Sequence, residues 1–172
     1  MPRIEIPAGD GPEVTRALSL VPHFRDAVSA LEGAVWASPL PRRVHELVRM
    51  NIAEINGCVL CMTWRNDWAD EASLVAVSQH ATSDLFSDAE RVALEYAERF
   101  ATESKNIDGD LLARLGAHFS PAEVVDLTLV IGKYMAMGRF MQVLDLDQAC
   151  NISFDGDGKL VMTERERAVS ER

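Results

Sequence analysis

The sequence predicts an all-α protein, and three observations carry that expectation. Apolar residues recur at i, i+3 and i+4 in one segment after another. Serine capping boxes, prolines and glycines mark helix starts and stops at matching places. No strand-like alternation runs longer than a few residues, and no segment repeats another. With 172 residues the chain suits one compact domain that buries a core without staples.

Residues 1–20 carry Pro2, Pro7, Gly9, Gly11 and Pro12 and read as an irregular lead-in. From Pro22, the set Phe24, Ala27, Val28, Leu31, Ala34 and Val35 makes the apolar stripe of a helix, which SPLP at 38–41 ends. Pro41 fits the first turn of the next helix, where its missing N–H costs nothing. That helix aligns Val44, Leu47, Val48, Ile52 and Ile55, with Glu46 and Arg49 among them, and Asn56-Gly57 closes it. The pair Cys58 and Cys61 then opens a helical segment expected to reach about Ala72, and a shorter one follows over 73–79.

Ser87-Asp88-Ala89-Glu90 is a capping box that starts a helix carrying Val92, Ala93, Tyr96, Ala97 and Phe100. Asp108 to Leu115 forms a short helix closed near Gly116. Ser120-Pro121-Ala122-Glu123 is a second capping box. Behind it runs the longest apolar stretch, 124–144, interrupted by Asp126, Lys133 and Arg139. It is apolar on more than one face, as a central helix or a subunit-interface helix is. The helical domain is thus placed at 21–150. Residues 151–172 form a C-terminal extension, with a turn at 155–159 and a charged end, TERERAVSER.

Hydrophobic residues make up 48% and charged residues 26%, an ordinary globular composition. A net charge of −10 opposes general nucleic-acid binding, since phosphates repel it. No apolar run approaches the roughly 20 residues that span a bilayer, so no membrane segment is expected. The opening MPRIEIPAGDG lacks an apolar signal region, which makes a cytoplasmic location the expectation. Three cysteines do not suggest a secreted disulfide framework.

The chemistry concentrates in NGCVLCMTWRND, 56–67. Placed after a helix break, Cys58 falls at or near the first turn of the next helix, where free N–H groups and the helix dipole stabilise a thiolate. Cys61, one turn later on the same face, is within reach for a disulfide. By the usual division of labour Cys58 is the exposed nucleophile. A nearby proton acceptor is needed, and Glu46 is the candidate if the two helices pack side by side. Spacing alone leaves three readings open: a redox dithiol, half of a metal site, or two small buried residues.

Zinc needs two further ligands. Cys150, His45, His80 and His118 fall in no second CxxC or HxxxH, so neither a metal nor another cofactor is expected. Cys150 reads as a buried free thiol. Trp36, Trp64 and Trp68 can line a pocket, although the i, i+4 spacing of Trp64 and Trp68 reads more simply as core packing. Met135, Met137 and Met141 read as core or interface filler.

Three stretches, RRVHELVRMNIAEINGCVLC (42–61), LFSDAERVALEYAERF (85–100) and HFSPAEVVDLTLVIGKYMAMGRFMQVLDL (118–146), resemble the carboxymuconolactone decarboxylase superfamily and its alkylhydroperoxidase D-like branch. The resemblance covers about residues 20–148. It implies an antiparallel helical bundle assembled as a homo-oligomer: trimer, dimer or hexamer. It also implies a CxxC dithiol that reduces peroxides or relays electrons, with a glutamate and a histidine managing protons. Glu46 stands where the family has its glutamate, twelve residues before the first cysteine. The chain departs from the CxxCxxxH pattern at Arg65, and the histidine some members carry before the second cysteine is Leu60. Arg65 cannot shuttle protons, its pKa being above about 12. Its alternatives are a thiolate-stabilising charge, a partner for Glu46, or a surface ion pair with Asp67 or Glu71.

The function so implied is a thiol-dependent peroxidase or thiol–disulfide oxidoreductase, of antioxidant type. Its catalytic residues are Cys58, Cys61 and Glu46, with Arg65 as a possible site charge. Its partners are a peroxide or disulfide substrate and a thiol reductant. Two other functions stand beside it. One is a decarboxylase-like enzyme acting on a small carboxylate, with Arg65 and Arg139 as acid-binding candidates. The other is a non-catalytic oligomeric protein with a structural CxxC.

Overall fold

One helix forms the centre of the bundle. In the computed structural model, helix α3 (Arg42–Asn56) buries residues 44–53 without a break. It lies between α6 (Asp88–Thr102) and α8 (Pro121–Leu144). Leu47, Val48, Ile52, Leu94, Leu127 and Ile131 at these faces are almost completely excluded from solvent. The structure describes residues 1–148 in full and the backbone of 150–154 and 160–164.

The remaining helices are α1 (Glu13–Ser19), α2 (Pro22–Trp36), α4 (Val59–Thr63), α5 (Glu71–Val75) and α7 (Gly109–Gly116). Short 3-10 turns cover Val77–Gln79 and Ser104–Asn106. Both capping boxes form as expected. Ser87 and Glu90 cap each other's backbone at the start of α6, and Ser120 and Glu123 do the same for α8. Gly57, at φ 63°, closes α3 in the left-handed conformation, and the Cys58 N–H reaches back to the Ala53 carbonyl at 3.1 Å. Glycine also decides how near α8 comes to α3, because a Cβ at Gly138 would lie 2.5 Å from Asn56 Nδ2.

The all-α body is the expected one, with four local differences. The lead-in contains α1, which no side chain of its own caps. Instead the Asp147 carboxylate accepts the N–H groups of Glu13 and Val14 at 2.7 and 2.8 Å, and Glu13 Oε2 accepts the Asp147 N–H at 2.7 Å. The segment after the cysteines is helical only over Val59–Thr63, not to residue 72. Its last carbonyls are taken by arginine side chains instead of by further helix: Arg49 donates to the Cys61 and Trp64 carbonyls, and Arg65 to those of Met62 and Trp64. The helix at the centre is α3. Helix α8 covers it and leaves Val125 and Leu129 exposed.

The fourth difference follows the bundle, where Cys150–Phe154 (β1) pairs antiparallel with Leu160–Glu164 (β2), Ile152 opposite Met162. Five-residue arms are too short to raise an alternation signal. The expected turn at 155–159, most of the charged tail and the Cys150 side chain lie outside the described residues. Among those described, no helix is long and apolar enough to cross a membrane.

Candidate active site: a disulfide in the wall of an apolar cavity

Cys58 and Cys61 form a disulfide, their Cα atoms 5.3 Å apart. Cys58 is the N-cap of α4, its Sγ accepting the Cys61 N–H at 3.3 Å. The two sulfur residues differ in access, and not in the expected direction. Cys58 is fully buried under Ala17, Leu60, Met141 and Leu146, with Gln148 Nε2 3.9 Å from its sulfur. Cys61 is half-buried and lines a cavity. The correction has a simple cause: α1 and the segment after α8, from opposite ends of the chain, close over Cys58.

The cavity, about 750 Å³, lies between α1, α2, α3, α4 and α8. Its wall is mostly apolar, with Leu18, Trp36, Trp64, Met137 and Met141 beside Cys61. Trp36 and Trp64 therefore do line a pocket. Trp68 packs edge-on against Trp36 and His45 instead, with the Arg42 guanidinium 5.4 Å from its ring centre.

Charges enter the cavity in pairs. Arg49 donates to both oxygens of Glu46, at 2.7 and 2.6 Å, with Glu46 fully buried and Arg49 nearly so. Asn66 Nδ2 adds a bond to Glu46 Oε2 at 2.8 Å. A further Arg49 bond, to the Cys61 carbonyl at 2.6 Å, ties the ion pair to the backbone of that cysteine. Glu46 is thus connected to the dithiol through Arg49. Lys133, almost buried, pairs with Glu32 of α2, and its ammonium sits 4.2 Å from the centre of the Tyr134 ring. Burial pushes the Lys133 pKa down, the Glu32 charge opposing it.

The Tyr134 hydroxyl and His45 Nε2 are 2.9 Å apart. Burial shifts both groups away from their charged forms, lowering the His45 pKa and raising that of Tyr134. His80 pairs with Glu98 at 2.9 Å. Among the described residues no group of three His, Cys, Asp or Glu is placed to hold a metal ion.

Arg65, in the position where the resemblance has a histidine, turns to solvent. It holds Glu71 through two bonds of 2.7 and 3.0 Å and does not line the cavity. Arg139 is likewise engaged elsewhere, with Asn56 Oδ1 and the Ala101 carbonyl. Sequence reasoning passed over Arg49 and Lys133. The signal for Lys133 was present, as a lone cation inside the longest apolar run.

No family model matches the chain. Among solved structures, a protein of unknown function from Agrobacterium tumefaciens, proposed to be an antioxidant defence protein AhpD, superposes with a TM-score of 0.69. It is 26% identical, over 78% of this chain and 96% of that one. The chain thus has an AhpD-like fold. An AhpD-core, peroxidase-related protein from Ralstonia eutropha shares the AhpD-like fold at a TM-score of 0.66 and 17% identity, over 80% of this chain and 77% of that one. By sequence, the protein YnjA of Escherichia coli is 36% identical over 114 residues, which are 63% of this chain. The match likewise spans 63% of YnjA's own length.

Proposed function

We propose that this AhpD-like chain is a CxxC thiol oxidoreductase that reduces peroxides with electrons from an external dithiol. The observation that carries the reading is the placement of one sulfur, Cys61, in the wall of an organic-sized cavity, while its partner Cys58 is held behind it. This placement favours exchanging the roles expected from sequence, with Cys61 as the attacking thiolate and Cys58 as the resolving residue.

In the reduced protein the Cys61 thiolate attacks the terminal oxygen of ROOH. The S–O bond forms, the O–O bond breaks, and RO⁻ leaves as the alcohol after taking a proton. The Cys58 thiol then attacks the sulfenic sulfur, water leaves, and the Cys58–Cys61 disulfide forms. An external dithiol reduces it and is itself oxidised.

Glu46 is the proposed acceptor of the thiol proton. Three N–H donors occupy three of its roughly four lone-pair directions, which leaves one for a proton. Arg65, paired with Glu71 outside the cavity, is assigned no chemical step. The decarboxylase alternative is less favoured, because Arg65 and Arg139 both lie outside the cavity lining. The protein is further proposed to be a homo-oligomer, for which native mass spectrometry is the direct test.

The activity test is turnover of cumene hydroperoxide driven by dithiothreitol. The reading expects turnover that vanishes in Cys61→Ser and is impaired in Cys58→Ser, where dithiothreitol must reduce the Cys61 sulfenic acid directly. Equal turnover in the two variants and the parent protein would contradict it.

A further inference from the structure

The cavity is far larger than the reaction requires. A peroxide group is two oxygen atoms, whereas about 750 Å³ matches pockets that enclose drug-sized organic molecules. Two features support the reading that this space is kept open by the sequence.

The first is Gly33, in the middle of α2 and in the cavity wall. Glycine in a helix interior costs roughly 1 kcal/mol relative to alanine. Close packing does not explain it, because a Cβ added there meets no atom within 4 Å. What its missing side chain preserves is cavity volume. The contrast with Gly138, where Asn56 forbids a side chain, is direct.

The second is Lys133. Its ammonium has three N–H donors. Among the described residues one is taken by Glu32, and the face of Tyr134 lies beside it, leaving a donor for an incoming oxygen. Every other charged side chain in the wall is matched: Arg25 with Asp26, and Arg49 with Glu46. The chamber is therefore formally neutral. An anionic ligand would bring an uncompensated charge into an apolar space beside the Glu32 carboxylate, at a desolvation cost that one shared lysine does not offset.

We propose that this cavity is a binding site for an uncharged, bulky, largely aromatic molecule with one acceptor oxygen. The oxygen takes a hydrogen bond from Lys133 Nζ, and the rings pack between Trp36, Trp64 and Met137 in the space that Gly33 leaves free. This deepens the proposed function, because it rests on the same cavity being the substrate chamber of Cys61.

The test is titration of the oxidised protein, with no peroxide and no turnover, by 2-acetylnaphthalene and by 2-naphthoate. Both are read from quenching of the cavity tryptophans. The neutral ketone is expected to quench saturably, while the naphthoate binds at least about tenfold more weakly. Lys133→Met is expected to weaken the ketone by about tenfold or more, as loss of a charge-assisted hydrogen bond does. Gly33→Leu fills the chamber from a helix position that tolerates leucine; it is expected to abolish binding while thermal stability holds or rises, so the test survives even if Lys133→Met fails to fold.

Absence of saturable quenching, equal or tighter binding of the naphthoate, or undiminished ketone binding in Gly33→Leu overturns the proposal. Because binding is read without chemistry, the two readings fail separately. Ketone binding without peroxide turnover removes only the peroxidase reading, and peroxide turnover without ketone binding removes only this one.

Discussion

Arg49→Met would expose how much of the site's architecture depends on one guanidinium. In the native protein Arg49 donates to both oxygens of Glu46 and to the carbonyls of Cys61 and Trp64. Methionine keeps the apolar stem and removes all four bonds. The Glu46 carboxylate, fully buried, would retain only Asn66. Breaking a buried ion pair from one side costs about 3–5 kcal/mol, because the remaining charge is uncompensated.

The freed Cys61 carbonyl adds to that, but not independently, while the Trp64 carbonyl keeps its bond from Arg65, so about 4 kcal/mol is a fair expectation. Against a total stability of about 5–15 kcal/mol, and a urea slope of roughly 2 kcal/mol/M, the midpoint should fall by about 2 M. The assay is urea unfolding of the oxidised protein at fixed concentration, so that the disulfide contributes equally to both. Glu46→Leu combined with Arg49→Met removes the stranded charge and should recover part of the loss. A single-variant loss below about 1 kcal/mol, or a double variant less stable than Arg49→Met, would refute the claim that this pair organises the site.

Other outcomes follow from the same geometry. On limited alkylation of the reduced protein with iodoacetamide, peptide mass spectrometry should find Cys61 modified before Cys58; the reverse order contradicts their assigned access. Ser87→Ala and Ser120→Ala should each lower stability by about 1 kcal/mol in urea unfolding, since each removes one half of a capping box. His45 has its pKa lowered by burial, so the unfolded chain binds its proton more readily than the native one. Its contribution therefore falls as pH drops below the ordinary value of about 6.5 and levels off below the native pKa. Between pH 7.5 and 5.5 the parent protein should lose more stability than His45→Gln does, and equal losses would count against that burial effect.

The parts of the fold legible in the sequence are those whose causes are local. Helices α3, α6 and α8 announce themselves by apolar spacing, α6 and α8 also by four-residue capping boxes, and Gly57 marks the break between α3 and the cysteines. Helix α1 escaped notice because Asp147, 134 residues away, supplies its cap. The stop of α4 after Thr63 escaped for the same reason: an arginine from the preceding helix takes its carbonyls. At the site, Glu46 and the two cysteines could be nominated from spacing, but access to the sulfurs could not. What buries Cys58 comes from α1 and from Leu146, a three-dimensional fact with no signature in NGCVLCMTWRND. Lys133 was visible only as an interruption in an apolar run; its pairing with Glu32 across the cavity supplied the meaning.

The most direct test of the account is a single turnover. Pre-reduced protein is mixed with one equivalent of cumene hydroperoxide in the presence of dimedone, and the cysteine peptides are identified by mass spectrometry. The account predicts a Cys58–Cys61 disulfide in the parent protein, a dimedone adduct on Cys61 in Cys58→Ser, and no peroxide consumed by Cys61→Ser. Peroxide consumption by Cys61→Ser at the parent rate, or a parent protein whose pair stays reduced while peroxide persists, would contradict it.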